Sequence, residues 1–362
     1  MVKRLTYGMI GCGMMGQEHL RNIALLEGVE VTRYLEPDPG MAGATARLIP
    51  RAIRAATIGD MLGHGDLDAV IIASPNYLHV PQIMEIANHR SLPLLVEKPL
   101  YTTPEQAEAL QAIGYPQPIW VAMEYRYMPA IAAFLEHADA VTGGPVQLAI
   151  REHRFPFLEK VGDWNRFNAF SGGTFVEKCC HFFDLMRLIL KSEPVRVMAS
   201  AGQAVNHRDE DYAGRAPDIL DSGFVIVEFE NGSRAMLELC MFAEGSGYQE
   251  ELSLVGPAGK IEALVPGPVR HAPTGQVPVG KVIVSPRQGS APVTTEFPVD
   301  PNLLEAGDHN GATFFQHQRF AAMLRGQGAV EVTLGDGARA VAMGLAAQRS
   351  AETGQAVRLD DL

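Results

Sequence analysis

The stretch from Ser171 to Asp184, SGGTFVEKCCHFFD, sets a carboxylate, two cysteines and an imidazole directly behind a glycine pair. If Phe175 to Leu190 is helical, Glu177 and His181 stand four apart and share a face. Asp184, three further on, lies on the same side and can orient the imidazole. A zinc site would need converging ligands from elsewhere, and no second Cys/His cluster supplies them. No metal is expected, and Cys179 and Cys180 read as small apolar core residues. A lone histidine is most simply a hydrogen-bonded core residue, but an acid four residues before it favours proton transfer. A second proton-transfer candidate is Lys98, set hard against a strand end and held by Pro99.

The elements that would position these groups follow from the first third of the chain. Strand-like runs LTYGMIG, VEVTRYLE, DAVIIAS, PLLVE and PIWVAMEY alternate with helical stretches. One of these, MMGQEHLRNIALLEG, puts Leu20, Ile23 and Ala24 on one face, with Gly28 as the stop. Short, continuously apolar strands separated by helices imply a parallel sheet covered on both faces. Its first turn, Gly11-Cys12-Gly13-Met14-Met15-Gly16, is G-x-G-x-x-G between strand and helix, the pattern that cradles a dinucleotide pyrophosphate. Glu36 falls 20 residues after Gly16, where a carboxylate bonds the adenosine ribose hydroxyls and repels a 2′-phosphate. NAD is therefore expected over NADP. The expected cofactor contacts are Gly11, Gly13, Met14, Met15 and Gly16 in the loop, Glu36, Ser74 and Asn76 at strand ends, and Glu97 with Lys98. Burial and a cationic nicotinamide would both lower the Lys98 pKa toward neutrality. His79 reads as a helix-start residue.

After about residue 127 the pattern changes to hairpins, of which GFVIVEFENGSRAMLELCMF, turning at Asn231-Gly232, is the clearest. The fold class is α/β: an N-terminal Rossmann domain over 1–127 and a C-terminal α+β domain over 128–362 with a large, mostly antiparallel sheet. One sheet face would meet the cofactor cleft; the other would join subunits in a homodimer or homotetramer. Two helices close the chain, and 207–218 is the expected mobile loop. Charged residues make up 20% and the net charge is −12, which argues against nucleic acid as partner. No apolar run is long enough to span a membrane. Four irregularly spaced cysteines suit a reducing cytoplasm.

The glycine loop at 11–16, EKP at 97–99 and GGTFVEKCCHFFD at 172–184 together resemble the glucose–fructose oxidoreductase / inositol dehydrogenase / rhizopine-catabolism family. The resemblance extends over essentially the whole length. It implies that Lys98, Glu177 and His181 form the catalytic group, with Glu177 standing where the family usually carries aspartate. It also implies a polyol substrate, an inositol or a pyranose, oxidised at a secondary hydroxyl. Either His181 or Lys98 would take the hydroxyl proton. Trp164 and Asn165 would face the sugar together with His181, and Arg126 would bond its hydroxyls; His309 is a further candidate. Two other uses of such a fold are a nucleotide sensor without catalysis and a glycoside-processing enzyme with tightly held NAD. The lysine, acid and histidine together speak against the sensor.

Overall fold

Strands built wholly of apolar residues can sit only where both faces are covered, and AVII, LLV and IWV in the first third of the chain are of this kind. The computed structural model describes residues 3–272 and 279–362. In it β1 (Leu5–Ile10), β2 (Val29–Leu35), β3 (Ile53–Arg54), β4 (Ala69–Ile72), β5 (Leu94–Val96) and β6 (Ile119–Val121) form one parallel sheet in the order β3-β2-β1-β4-β5-β6. The order reverses between β1 and β4, and ligands bind at the carboxyl ends of strands at such a reversal. The glycine loop follows β1, and Ser74 to Asn76 follow β4, so both expected cradle segments flank that crevice.

The second sheet has nine strands: β7 (Gln147–His153), β8 (Pro194–Gly202), β9 (Ser222–Phe229), β10 (Arg234–Cys240), β11 (Glu250–Val255), β12 (Gly259–Val265), β13 (Gly280–Pro286), β14 (Val293–Phe297) and β15 (Val357–Arg358). Their order is β14-β13-β12-β11-β7-β10-β9-β8-β15, antiparallel except where β7 and β10 pair in parallel. The β9–β10 hairpin turns at Asn231-Gly232, with Gly232 at φ +83°. Along β9, Val225, Val227 and Phe229 point into the core, whereas Phe224 and Ile226 point out and are 57% and 45% exposed. Helices Pro129–Thr142, Cys180–Leu190 and Leu334–Thr353 pack on this sheet.

Chain order and spatial order part company near the C-terminus. Helices Pro301–Ala306 and Ala312–Leu324 lie against the helix Met14–Ile23 of the first sheet. Arg325 donates to the carbonyls of Lys3, Glu27 and Gly28, and the Val121 N–H donates to the Val332 carbonyl. The first helix ends at Ile23 and leaves Ala24 exposed. Leu20 and Ile23 are buried as expected, but so are Glu18 and His19, because the returning helix covers the polar side. The 207–218 loop is tied down: Glu210 accepts from Arg166 and Tyr212 and pairs with His207, while Arg215 lies 4.1 Å from the centre of the Phe167 ring. Among the described residues no helix is long and apolar enough to cross a membrane.

Candidate active site

The glycine loop divides into two closed positions and one open one. Gly11 has φ +81°, and a Cβ there would stand 2.5 Å from the Ser74 nitrogen. A Cβ on Gly16 would stand 2.3 Å from the Gly11 carbonyl oxygen, so the helix can approach the strand only without one. Gly13, by contrast, has no heavy atom within 4 Å of its would-be Cβ, and no side chain caps the helix that starts after it. The open space and the uncapped N–H groups fit a pyrophosphate. Met14 beside them is 43% exposed. The Glu36 carboxylate accepts from the Cys12 N–H at 2.7 Å and from the Asp38 N–H at 2.8 Å, which holds it against the loop at the end of β2. The donor set therefore suits a dinucleotide with free ribose hydroxyls.

The acid–base cluster lies where the second domain meets the ends of β4 and β5. The expected continuous helix is broken: one short helix runs Thr174–Glu177, Lys178 and Cys179 form a turn, and the next helix runs Cys180–Leu190. An unbroken helix would send the His181 N–H to the Glu177 carbonyl. Here that carbonyl accepts from Lys98 Nζ at 2.8 Å instead. The Glu177 carboxylate is buried, takes Lys160 Nζ at 3.1 Å and accepts from the Asn76 amide. Burial alone would raise its pKa, but the Lys160 and Lys98 ammonium groups outweigh burial and hold it down at about 2.

Lys98 departs from the expected direction. Burial does pull its pKa down, but the carboxylates of Glu177 and Glu97 reverse the effect and leave it raised. The ammonium stays charged in the free protein. His181 goes the other way: burial, then the charges of Lys98, Lys178, His309 and Arg154, push it well below the ordinary imidazole value. Its ring stacks flat on Tyr125, with centroids 4.0 Å apart and planes 3° from parallel. His181 Nδ1 is buried without a hydrogen-bond partner. The site thus holds a neutral imidazole beside a charged ammonium.

Several expected residues sit elsewhere than the sequence suggested. Asp184 does not orient His181; it is fully buried in a two-point pair with Arg126, Nε to Oδ2 at 2.6 Å and Nη2 to Oδ1 at 2.5 Å. Arg126 also donates to the Glu331 carbonyl, so its guanidinium is committed to structure and not open to substrate hydroxyls. Asn165 is fully buried and donates to Leu158 O within its own loop, which withdraws its amide from the cleft. Trp164 carries Lys160 Nζ 4.4 Å above its ring, next to Glu177. Asn76 spans from β4 to Ser171 O and Glu177, and Ser74 backs Gly11 while its hydroxyl bonds Gln82. Glu97 is buried against His19, at 2.9 Å, and His19 in turn meets His317 at 2.8 Å. His79 starts a helix, with Nδ1 at the Pro99 carbonyl and Nε2 at the Ser74 carbonyl. His309 pairs with Glu18 at 2.7 Å; burial would lower it, but Glu18 and Glu124 bring it up to about 9.

Lys160 and Lys178 were not anticipated as site residues. Lys160 meets Glu177 across a loop, a contact with no periodic signature, four residues before the expected Trp164. Cys179 and Cys180 are fully buried, and burial drives both thiols up, Cys180 to about 12. Among the described residues no three His, Cys, Asp or Glu side chains converge as a metal cluster would.

A parallel sheet with an open glycine cradle at its switch point defines a dinucleotide-binding protein, and the ammonium and imidazole beside it fit an oxidoreductase. Comparison with known proteins makes the assignment specific. Residues 5–117 match the NAD-binding Rossmann fold of the Gfo/Idh/MocA oxidoreductase family, and residues 140–359 match that family's C-terminal alpha/beta domain. The chain belongs to this family: it is an oxidoreductase with an NAD-binding domain. It is 28% identical to the rhizopine catabolism protein MocA of Rhizobium meliloti over 65% of this chain and 71% of that one. It is 27% identical to inositol 2-dehydrogenase 1 of Paenarthrobacter aurescens over 69% and 70% of the two chains. Among solved structures, levoglucosan dehydrogenase in complex with NADH and levoglucosan superposes with TM-score 0.80 at 19% identity, covering 99% of this chain and 100% of that one. The myo-inositol 2-dehydrogenase of Lactobacillus plantarum gives 0.76 at 21% identity, over 98% and 99%.

Proposed function

We propose that the protein is an NAD-dependent dehydrogenase that oxidises one secondary hydroxyl of a polyol, an inositol or a pyranose. The observation that carries this reading is the bond from Lys98 Nζ to the Glu177 carbonyl at the helix break. It fastens the ammonium of the nucleotide-binding half to the segment that bears His181. A nicotinamide held by the glycine loop and Glu36 would supply the hydride acceptor for the carbinol carbon. The chain's own residues handle the proton and the charge. Neutral His181 accepts the hydroxyl proton, and charged Lys98 bonds the same oxygen and stabilises the negative charge that develops on it. Glu177, between Lys98 and Lys160, keeps both ammonium groups balanced in a buried site. The relatives named as inositol 2-dehydrogenases and levoglucosan dehydrogenase support the substrate class.

The test is a panel of inositols and aldoses with NAD and with NADP, followed by absorbance of the reduced cofactor. Turnover of at least one cyclic polyol with NAD is expected; a silent panel defeats the proposal. Glu36→Ala in the same assay should weaken NAD more than NADP, since the lost carboxylate serves ribose hydroxyls and repels a phosphate. Equal losses would remove Glu36 from cofactor choice.

We also propose that the outer face of the second sheet joins copies of the chain. Ile226 on β9 faces outward with Met198 and Met236 directly across from it on the neighbouring strands, and Phe224 extends the patch. The cluster is apolar within a sheet face otherwise lined by charged pairs such as Arg196–Glu228 and Arg151–Glu251, an apolar centre with a polar rim that suits an interface. Phe224→Glu with Ile226→Glu should reduce the mass measured by sedimentation to that of one chain. A wild-type protein that sediments as a monomer at assay concentration defeats this proposal.

A further inference from the structure

Lys178 follows Glu177 directly, yet it points into a different part of the molecule. Its Nζ lies 2.8 Å from the Glu152 carboxylate and donates to the Tyr125 hydroxyl. The ammonium also sits 4.7 Å from the centre of the Tyr125 ring. Tyr125 in turn carries the His181 ring stacked flat on its face. Glu152 is on β7 and Glu250 is its direct cross-strand neighbour on β11; both side chains are fully buried. Arg154 comes within 3.5 Å of the same Glu152. Neither Glu152 oxygen, nor Glu250 Oε2, completes a well-aligned hydrogen bond, so the carboxylate pair is offset by the charges of Lys178, the nearer at 2.8 Å, and Arg154.

We infer that Lys178 is a positioning residue for proton transfer: anchored on Glu152, it fixes the Tyr125 hydroxyl, and Tyr125 fixes the plane of the His181 imidazole. The inference rests on the reading of His181 as proton acceptor. The geometry leaves little else to hold that imidazole. Nδ1 has no partner, Asp184 is engaged with Arg126, and the aromatic face of Tyr125 is what the ring lies on. Lys178 also acts on His181 through charge. With Lys98, His309 and Arg154 it disfavours the protonated imidazole, while Arg154, Glu152, Glu250 and Tyr125 are the ionisable groups around Lys178 itself.

The experiment uses the full-length chain with NAD and the panel compound that turns over fastest. Lys178→Met, Lys178→Arg, Tyr125→Phe, the Lys178→Met/Tyr125→Phe double variant and His181→Asn are compared by kcat, KM, the pH profile of kcat/KM and the thermal midpoint. Lys178→Met should lower kcat on the order of 10–100-fold, the scale of a misplaced catalytic group, with KM for NAD unchanged. Tyr125→Phe should lose kcat too, and the double variant should lose no more than the worse single one. Deleting the Lys178 charge should move the acid limb of the profile to higher pH, and Lys178→Arg, which keeps the charge, should leave the limb in place and recover part of kcat. Wild-type kcat with an unmoved limb in Lys178→Met overturns the inference. Should that variant fail to fold, Tyr125→Phe decides, and wild-type kcat there overturns it equally. Full turnover in His181→Asn overturns the underlying reading and this inference with it. An inactive His181→Asn beside an unaffected Lys178→Met removes only the inference.

Discussion

Lys98→Met is expected to lower turnover by about 10²–10⁴-fold or more, the range a positioned acid–base group contributes. NAD affinity, measured by direct titration, should be largely kept. Methionine matches the four-atom stem of lysine but removes the ammonium, so the Glu177 carbonyl loses the donor that it holds at 2.8 Å. Lys160 remains beside the Glu177 carboxylate, so the cluster keeps one compensating charge and the variant should fold. The loss should fall on kcat, because the charge that Lys98 stabilises is present only as the hydroxyl proton leaves. A fully active variant would take the lysine out of the mechanism.

The second large effect concerns stability. Asp184→Ala should destabilise the protein by about 3–5 kcal/mol, the usual consequence of breaking a buried ion pair from one side. The carboxylate is fully buried and meets Arg126 at two points, so its removal leaves a guanidinium in the interior without a counter-charge. Denaturant unfolding measures the loss directly. Were Asp184 acting instead as the orienting partner of His181, kcat would fall and the unfolding midpoint would hold. That opposite outcome would refute the structural role. Asp184→Asn, which keeps one acceptor for Arg126, should fall between the wild type and the alanine variant.

What could be read from the sequence was what neighbouring residues decide among themselves. The glycine loop was legible because each glycine answers to a backbone contact set by the strand–turn–helix unit: Gly11 against Ser74 and Gly16 against Gly11. The β9–β10 hairpin was legible because Asn231-Gly232 specifies its own turn. The helix break at Lys178 was not, since no glycine or proline marks it; its Glu177 carbonyl is taken by a lysine 79 residues earlier in the chain. The same holds for Asp184, whose partner Arg126 lies 58 residues away, and for Glu18 and His19, which look like surface residues until the helix Ala312–Leu324 covers them. The expected fall in the Lys98 pKa rested on burial and on a cationic nicotinamide; in the free protein the carboxylates of Glu177, far along the chain, and of adjacent Glu97 outweigh burial.

The return of residues 301–332 to the helix Met14–Ile23 means that the chain closes on itself like a clasp. A fragment ending near residue 127 would strip Glu18 of His309 and Thr313, and His19 of His317, leaving ionisable groups facing a seam with no counterpart. The two sheets are therefore distinct in architecture but not severable, and movement of one against the other must either carry this clasp along or bend beside it.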